Sequence, residues 1–383
     1  MSRTKGGSDK CSCRLVKEVN QLKTVVNAQS KVLAKLVRQM KDGCKKKDEE
    51  EDGCTFCGLN PCIKCLNPDV LYHLGHNTDT TDFPKVFGDV KFVCMGGTPG
   101  RMEAFAYYIM QEIGLKLNPA TKLADMAEAG KRYGMFKVGP VLCASHGMGC
   151  PSISILLHEL IKTMYHAKCK DPVFIRMGTC GGLGVEPGTV VITTEAVSGK
   201  LEPVHEIVVH GNSVLHPSQL DEGLANEIKS CHDPRTDKFD VVIGRTMCAH
   251  DFYEGQSRLD GAFCEYTPDA KMAFLEQLQA QGVKNIEMES LAFAALTSRA
   301  NIRSAVVCVA ILNRLEGDQI TTPHEILSGF DKRPATLIAR YIRKVLYPVE
   351  EDSDLASEAE SEDGDGGAGD SKPPPPPPEE EAE

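Results

Sequence analysis

The sequence predicts an α/β domain with an extension at each end. Between residues 68 and 348, short apolar strands alternate with helical patterns and Gly-rich turns. A heptad repeat precedes that region and an acidic, proline-rich stretch follows it. The chain has 383 residues, of which 41% are hydrophobic and 25% charged, enough for a sizeable core. No run of roughly 18 apolar residues occurs, so no membrane span is expected. The opening MSRTKGGSDKCSC has no apolar signal region, so a soluble, cytoplasmic protein is expected. Its 16 cysteines then read as reduced thiols or metal ligands rather than a disulfide framework.

The net charge of −11 averages unlike parts. Residues 350–383 carry 14 acidic side chains and one lysine, whereas residues 1–47 carry 13 Lys/Arg against 3 Asp/Glu. The middle is left acidic and has few aromatics, a poor surface for nucleic acid. The basic head is read as a solvated helix face.

Residues 1–47 form the basic extension. Within it Leu15, Val19, Leu22, Val26, Gln29, Leu33, Leu36 and Met40 recur four and three apart, the seam of a left-handed coiled coil over 15–40. A self-associating coil with a coiled-coil partner is expected; an amphipathic helix folded onto the main domain is the alternative. Residues 48–67 are a Cys-rich linker. Cys54, Cys57, Cys62 and Cys65 form two C-x-x-C pairs, able to supply four thiolates to a structural zinc. The spacer between them is short for that role, and free surface thiols are the alternative. Residues 68–348 are the globular domain. Residues 349–383, with acidic blocks and Pro373 to Pro378, cannot bury apolar surface and are expected to be disordered.

Four segments of the domain carry chemistry. VKFVCMGGTPGRM (90–102) reads as strand, Gly-rich turn and helix, with Gly96, Gly97 and Gly100 allowing close backbone approach to an anion beside Arg101. VFIRMGTCGGLG (173–184) reads as an apolar strand ending in Arg176, which is costly to bury without an anionic partner. SHGMGCPSISILLHEL (145–160) reads as a Gly-rich turn into a helix, and its His146 and His158 are taken as structural because no metal-spaced partner accompanies them. NIEMES (285–290) puts two carboxylates at a strand-to-helix junction, pointing in different directions, so that one is expected to enter a given pocket.

Together these residues carry a resemblance. The stretch 145–160 resembles the signature of the nucleoside phosphorylase family that includes uridine phosphorylases and hexameric purine enzymes. FGDVKFVCMGG (87–97), DFYEGQSRLDGA (251–262), NIEMES and LNRLEGDQI (312–320) are similar to animal-type uridine phosphorylases, over roughly residues 68 to 346. The resemblance implies a three-layer α/β/α fold around a central mixed sheet, acting as a homodimer with shared sites. It implies reversible phosphorolysis of uridine to uracil and ribose 1-phosphate, with inorganic phosphate as co-substrate and no metal or organic cofactor.

Position by position, the resemblance implies a phosphate site of Gly97, Arg101, Arg176 and Thr179, with Arg132 supplied by the neighbouring subunit. His73, also from across the interface, Met288 and Glu289 are implied at the ribose. Phe252, Gln256, Arg258, Cys180, Gly181, Ile311 and Leu312 are implied at the uracil. Relatives usually have serine where Cys180 stands, so mild sensitivity to thiol reagents is expected. The purine branch places a Ser-Asp pair where this chain has Asn313 and Arg314, which favours pyrimidine. A purine nucleoside enzyme and a catalytically weak, nucleoside-sensing scaffold are the other readings weighed.

Overall fold

The computed structural model describes residues 56, 58–116, 118 and 121–348. The heptad segment, Cys54, Cys57 and the acidic tail lie outside the described residues. The first compact unit ends at Arg343, and the second, Lys344–Glu383, is described only over residues 344–348.

In chain order, β1 (Val70–Leu71) and β2 (His76–Asn77) form a short ladder before α1 (Phe83–Phe87), β3 (Phe92–Gly96) and α2 (Pro99–Glu112). Then come β4 (Met135–Val138), β5 (Val141–Ser145), α3 (Cys150–His166), β6 (Val173–Gly182) and β7 (Val190–Val197). A hairpin of β8 (Val204–Val209) and β9 (Asn212–Pro217) leads to α4 (Glu222–Lys229), β10 (Val241–Cys248) and α5 (Pro268–Ala280). The described chain ends with β11 (Val283–Glu287), α6 (Ser290–Arg299), β12 (Ser304–Asn313), α7 (His324–Leu327) and α8 (Lys332–Leu346).

Eight strands form one mixed sheet in the order β11-β10-β7-β12-β6-β3-β5-β4. β11 also pairs antiparallel with β6, through Asn285↔Gly182 and Ile286↔Gly181. Five strands therefore close on themselves as a small barrel, while β3, β5 and β4 continue outward as an open sheet. All five residues of β3 are buried, as a strand covered on both faces requires. Val93 and Met95 join the core with Ile153, Leu156 and Leu157 of α3, whereas Phe92 meets Tyr341 of α8 edge-on at 6.1 Å. Helices thus pack on both sides of the sheet.

Helix starts follow local chemistry. Thr98 accepts the Arg101 N–H and precedes Pro99 at the start of α2, and Thr267 with Pro268 does the same for α5. These joins set glycines and charged residues at the carboxyl ends of parallel β3, β5, β6 and β12, where an open α/β sheet binds ligands.

Two local expectations change. Arg176 does not end its strand: β6 runs on to Gly182, paired along β12 as far as Asn313↔Gly182. Gly178, Gly181 and Gly182 are strand residues, and the missing side chains of Gly178 and Gly181 leave room for Arg176 and Arg314. At Gly181 a Cβ would lie 2.8 Å from Cγ of Arg314. The junction carboxylates also do not diverge. Glu287 ends β11, Glu289 caps α6, and both meet Arg176.

Candidate active site

A cavity of about 530 Å³ opens at these strand ends. At one end Gly97, Arg101, Arg176 and Thr179 line it. Arg101 starts on the first turn of α2 and pairs through Nε with Asp331 at 3.0 Å, both half-exposed. Arg176 is 2% exposed, and its Nη1 lies 2.9 Å from Glu287 and 3.2 Å from the Cys308 sulfur, while Nη2 pairs with Glu289. Burial would weaken its hold on its proton, but Glu287, Cys308 and Glu289 more than offset that, so the guanidinium stays charged. Its Nε is buried with no partner among the described residues.

Glu287 is fully committed: it accepts the N–H groups of Glu289 and Ser290 and the Ser290 hydroxyl. Glu289 accepts the Gly149 N–H at 2.6 Å. Gly149 has φ of 83°, a backbone form that suits glycine and turns its amide towards the site at the head of α3. Met288 lies between the two carboxylates on the cavity wall.

At the other end Phe252, Gln256 and Arg258 come from the segment after β10, and Gly181, Ile311 and Leu312 from β6 and β12. The Arg258 guanidinium sits 4.4 Å from the Phe252 ring centroid. Its Nε and Nη2 fork onto Asp260 at 2.8 and 2.6 Å.

Cys180 also lines this cavity, yet the residue is only 4% exposed. Burial, reinforced by Cys308, pushes its thiol pKa well up. The expected sensitivity at Cys180 is therefore opposed by its surroundings, since the thiolate is the reactive form. Cys180 is a packed, buried thiol.

Two expected residues stand apart. Arg132 is exposed and donates to Ser152 Oγ at 3.1 Å, and His73 pairs through Nδ1 with Glu159 at 2.7 Å; neither lines the cavity. They share a patch around Tyr133, with Arg132 5.3 Å and His73 6.3 Å from its ring. Cys62 and Cys65 are exposed and free, and the described residues hold no cluster of three metal-binding side chains.

The lining residues that the sequence did not assign to the site include His146, Arg314 and Asp318. His146 is 1% exposed, and burial with Arg176 nearby holds its pKa well below the usual value, so the ring is neutral. Arg314 follows an apolar strand, the same signal that singled out Arg176.

An anion-holding end and a ring-reading end, bridged by a carboxylate at the carboxyl edge of a mixed sheet, define a nucleoside-processing α/β enzyme class. The chain belongs to the phosphorylase superfamily, whose profile matches residues 91–346. Uridine phosphorylase 1 of Mus musculus is 47% identical over 306 residues, covering 79% of this chain and 98% of that protein. A protein of Schistosoma mansoni named inactive uridine phosphorylase B is 39% identical, over 75% of this chain and 95% of that one. The crystal structure of Schistosoma mansoni uridine phosphorylase in complex with thymidine superposes with a TM-score of 0.72 at 40% identity, covering 75% of this chain and 98% of that one.

Proposed function

We propose that this chain is a uridine phosphorylase, a pentosyltransferase that converts uridine and inorganic phosphate reversibly to uracil and α-D-ribose 1-phosphate. The observation that carries it is one cavity with Arg176, Arg101 and Thr179 at one end, Phe252, Gln256 and Arg258 at the other, and Glu289 between. A phosphate oxygen forms the new bond to the anomeric carbon, and the bond to the base nitrogen breaks with its electron pair passing into the uracil ring. Positive charge grows on the sugar and negative charge on the base, and a fixed site of opposite charges meets both. The arginines orient the phosphate. Arg258 and Gln256 meet the carbonyl oxygens of the departing base. Glu289 is placed to accept ribose hydroxyls. No organic cofactor or metal enters these steps.

The site works as a homodimer in this reading, each chain lending His73 and Arg132 to its partner's cavity. Arg132 is exposed and His73 half-buried, and both lie outside their own cavity, which supports it. The coiled coil over 15–40, the zinc at the Cys-rich linker, the division at residues 47, 67 and 348, the disordered tail and a cytoplasmic location rest on sequence pattern alone. The scaffold reading has no observation of its own in the described residues.

Uracil release from uridine by the full-length chain, with and without phosphate, tests the activity. Phosphate-dependent release is expected; none from folded protein refutes it.

A further inference from the structure

Asp318 joins Arg314, Lys271, Leu259 and Arg258, the segments around Gln256 and Arg258. It is 9% exposed, and each of its oxygens is used. Oδ1 accepts from Nε and Nη2 of Arg314 at 3.1 and 3.0 Å. Oδ2 accepts from Lys271 Nζ at 2.8 Å and from the Leu259 N–H at 2.9 Å. Its backbone carbonyl accepts from Nη2 of Arg258 at 2.8 Å. Arg314, 1% exposed, passes the connection on by donating Nη2 to the Gln256 carbonyl at 2.8 Å and Nη1 to the Gln256 side-chain oxygen at 3.4 Å.

Two consequences follow from donor and acceptor counting. With Nε and Nη2 of Arg258 committed to Asp260 and Asp318, its Nη1 is the end left for a ligand. With Gln256 Oε1 facing Arg314, its amide NH₂ is the end turned to the cavity. Both free ends are donors, and both owe their direction to one buried carboxylate and its carbonyl. Asp318 makes no such contact with Arg101, Arg176 or Thr179 at the anion end.

We propose that Asp318 is the positioning residue of the base-reading edge: its carboxylate holds Gln256 through Arg314 and the Arg258 segment through the Leu259 N–H, leaving the phosphate end independent. The proposal rests on the phosphorolysis reading for its substrate. Removing the carboxylate frees Arg314, and with it Gln256, and releases the Leu259 N–H beside Arg258, so uridine binding suffers while phosphate binding does not. A role in general stability alone would lower both together.

The test is Asp318→Asn in the full-length chain, read as KM for uridine, KM for phosphate, uracil binding by calorimetry and Tm. Because Asp318→Asn leaves two buried cations, Asp318→Asn with Lys271→Met is the second variant, restoring charge balance. The expected result, in whichever variant is folded, is a KM for uridine raised about tenfold or more with a KM for phosphate within about twofold. Lys271→Met alone keeps the Asp318–Arg314 pair and is expected to leave KM for uridine within about twofold. A folded variant with unchanged KM for uridine, or with both KM values raised in parallel, overturns the proposal. Wild-type chain that binds uracil but releases none from uridine refutes the phosphorolysis reading, and calorimetry with uracil still decides the role of Asp318. Wild-type chain that does not bind uracil overturns both.

Discussion

Glu289 accepts the backbone N–H of Gly149 at 2.6 Å, joining segments 140 residues apart in the chain. Its other oxygen pairs with buried Arg176. One carboxylate thus ties the head of α3, the start of α6 and the middle of β6 into the same wall. A negative group at a helix N-terminus is favoured by the exposed amides there.

That double engagement makes Glu289 costly to remove. Glu289→Ala leaves the Gly149 amide unpaired and Arg176 with Glu287 as its remaining carboxylate. We expect kcat/KM for uridine to fall about 100-fold or more, with a stability loss of about 1–3 kcal/mol. If Glu289 reads the 2′-hydroxyl, the wild-type preference for uridine over 2′-deoxyuridine collapses in this variant. A preference that survives the substitution assigns that hydroxyl to another group.

Thiol chemistry separates buried from exposed cysteines. Cys62, Cys65 and Cys264 are exposed, while Cys180 is enclosed and its thiol pKa pushed up by burial. Among the described cysteines, native protein treated with iodoacetamide should be labelled at Cys62, Cys65 and Cys264 and keep full activity. Cys180 should label only after unfolding. Peptide mapping of Cys180 modified in the native state, with activity lost in step, would contradict its enclosure.

Much of the anion end was legible because its chemistry is local. Gly97, Arg101, Arg176 and Thr179 sit in short strings where glycine, hydroxyl and arginine are adjacent, and all four line the cavity. The base end was legible through the resemblance rather than through periodicity. Asp318 was not, because its role exists only once Arg258, Leu259, Lys271 and Arg314 converge from separate segments. The convergence of Glu287 and Glu289 is hidden in the sequence for a related reason. Alternation along a strand predicts divergence, but the chain leaves β11 at Met288 and Glu289 is already a helix cap. Arg176 inside β6 shows the same limit, since a Gly-rich string looks like a turn until its pairing with β12 is known.

Two buried histidines set an acid limit on stability. His205 is pushed down to about 4 by burial, with His250 and His216 adding to the effect. His146 is held well below its usual value by burial and by Arg176. Both are neutral when folded, whereas the unfolded chain protonates them near 6.5. The unfolded state therefore binds more protons below that point, and their contribution, full above about 6.5, is lost as pH falls towards about 4. Tm measured across that range should drop, and His205→Gln should flatten the drop. An unaltered slope in a folded His205→Gln chain would remove His205 from the account.

The placement of Arg132 and His73 outside their own cavity leads to a test by mixing. Arg176→Ala disables a chain's cavity but leaves its Arg132 intact; Arg132→Ala disables what a chain lends but leaves its cavity intact. If sites are shared, each variant alone is inactive, yet a mixed dimer holds one complete site: the cavity of the Arg132→Ala chain served by the partner's arginine. Random exchange makes half the dimers mixed, each with one of two sites working, so activity should return to about a quarter of wild type. If Arg132 instead folds into its own cavity, no combination contains a complete site and mixing restores nothing. The assay needs subunit exchange, shown by mass spectrometry of the mixed species, before activity is read. Restoration that tracks the mixed fraction places the arginine across the interface; a flat baseline with mixed dimers present places it within the chain.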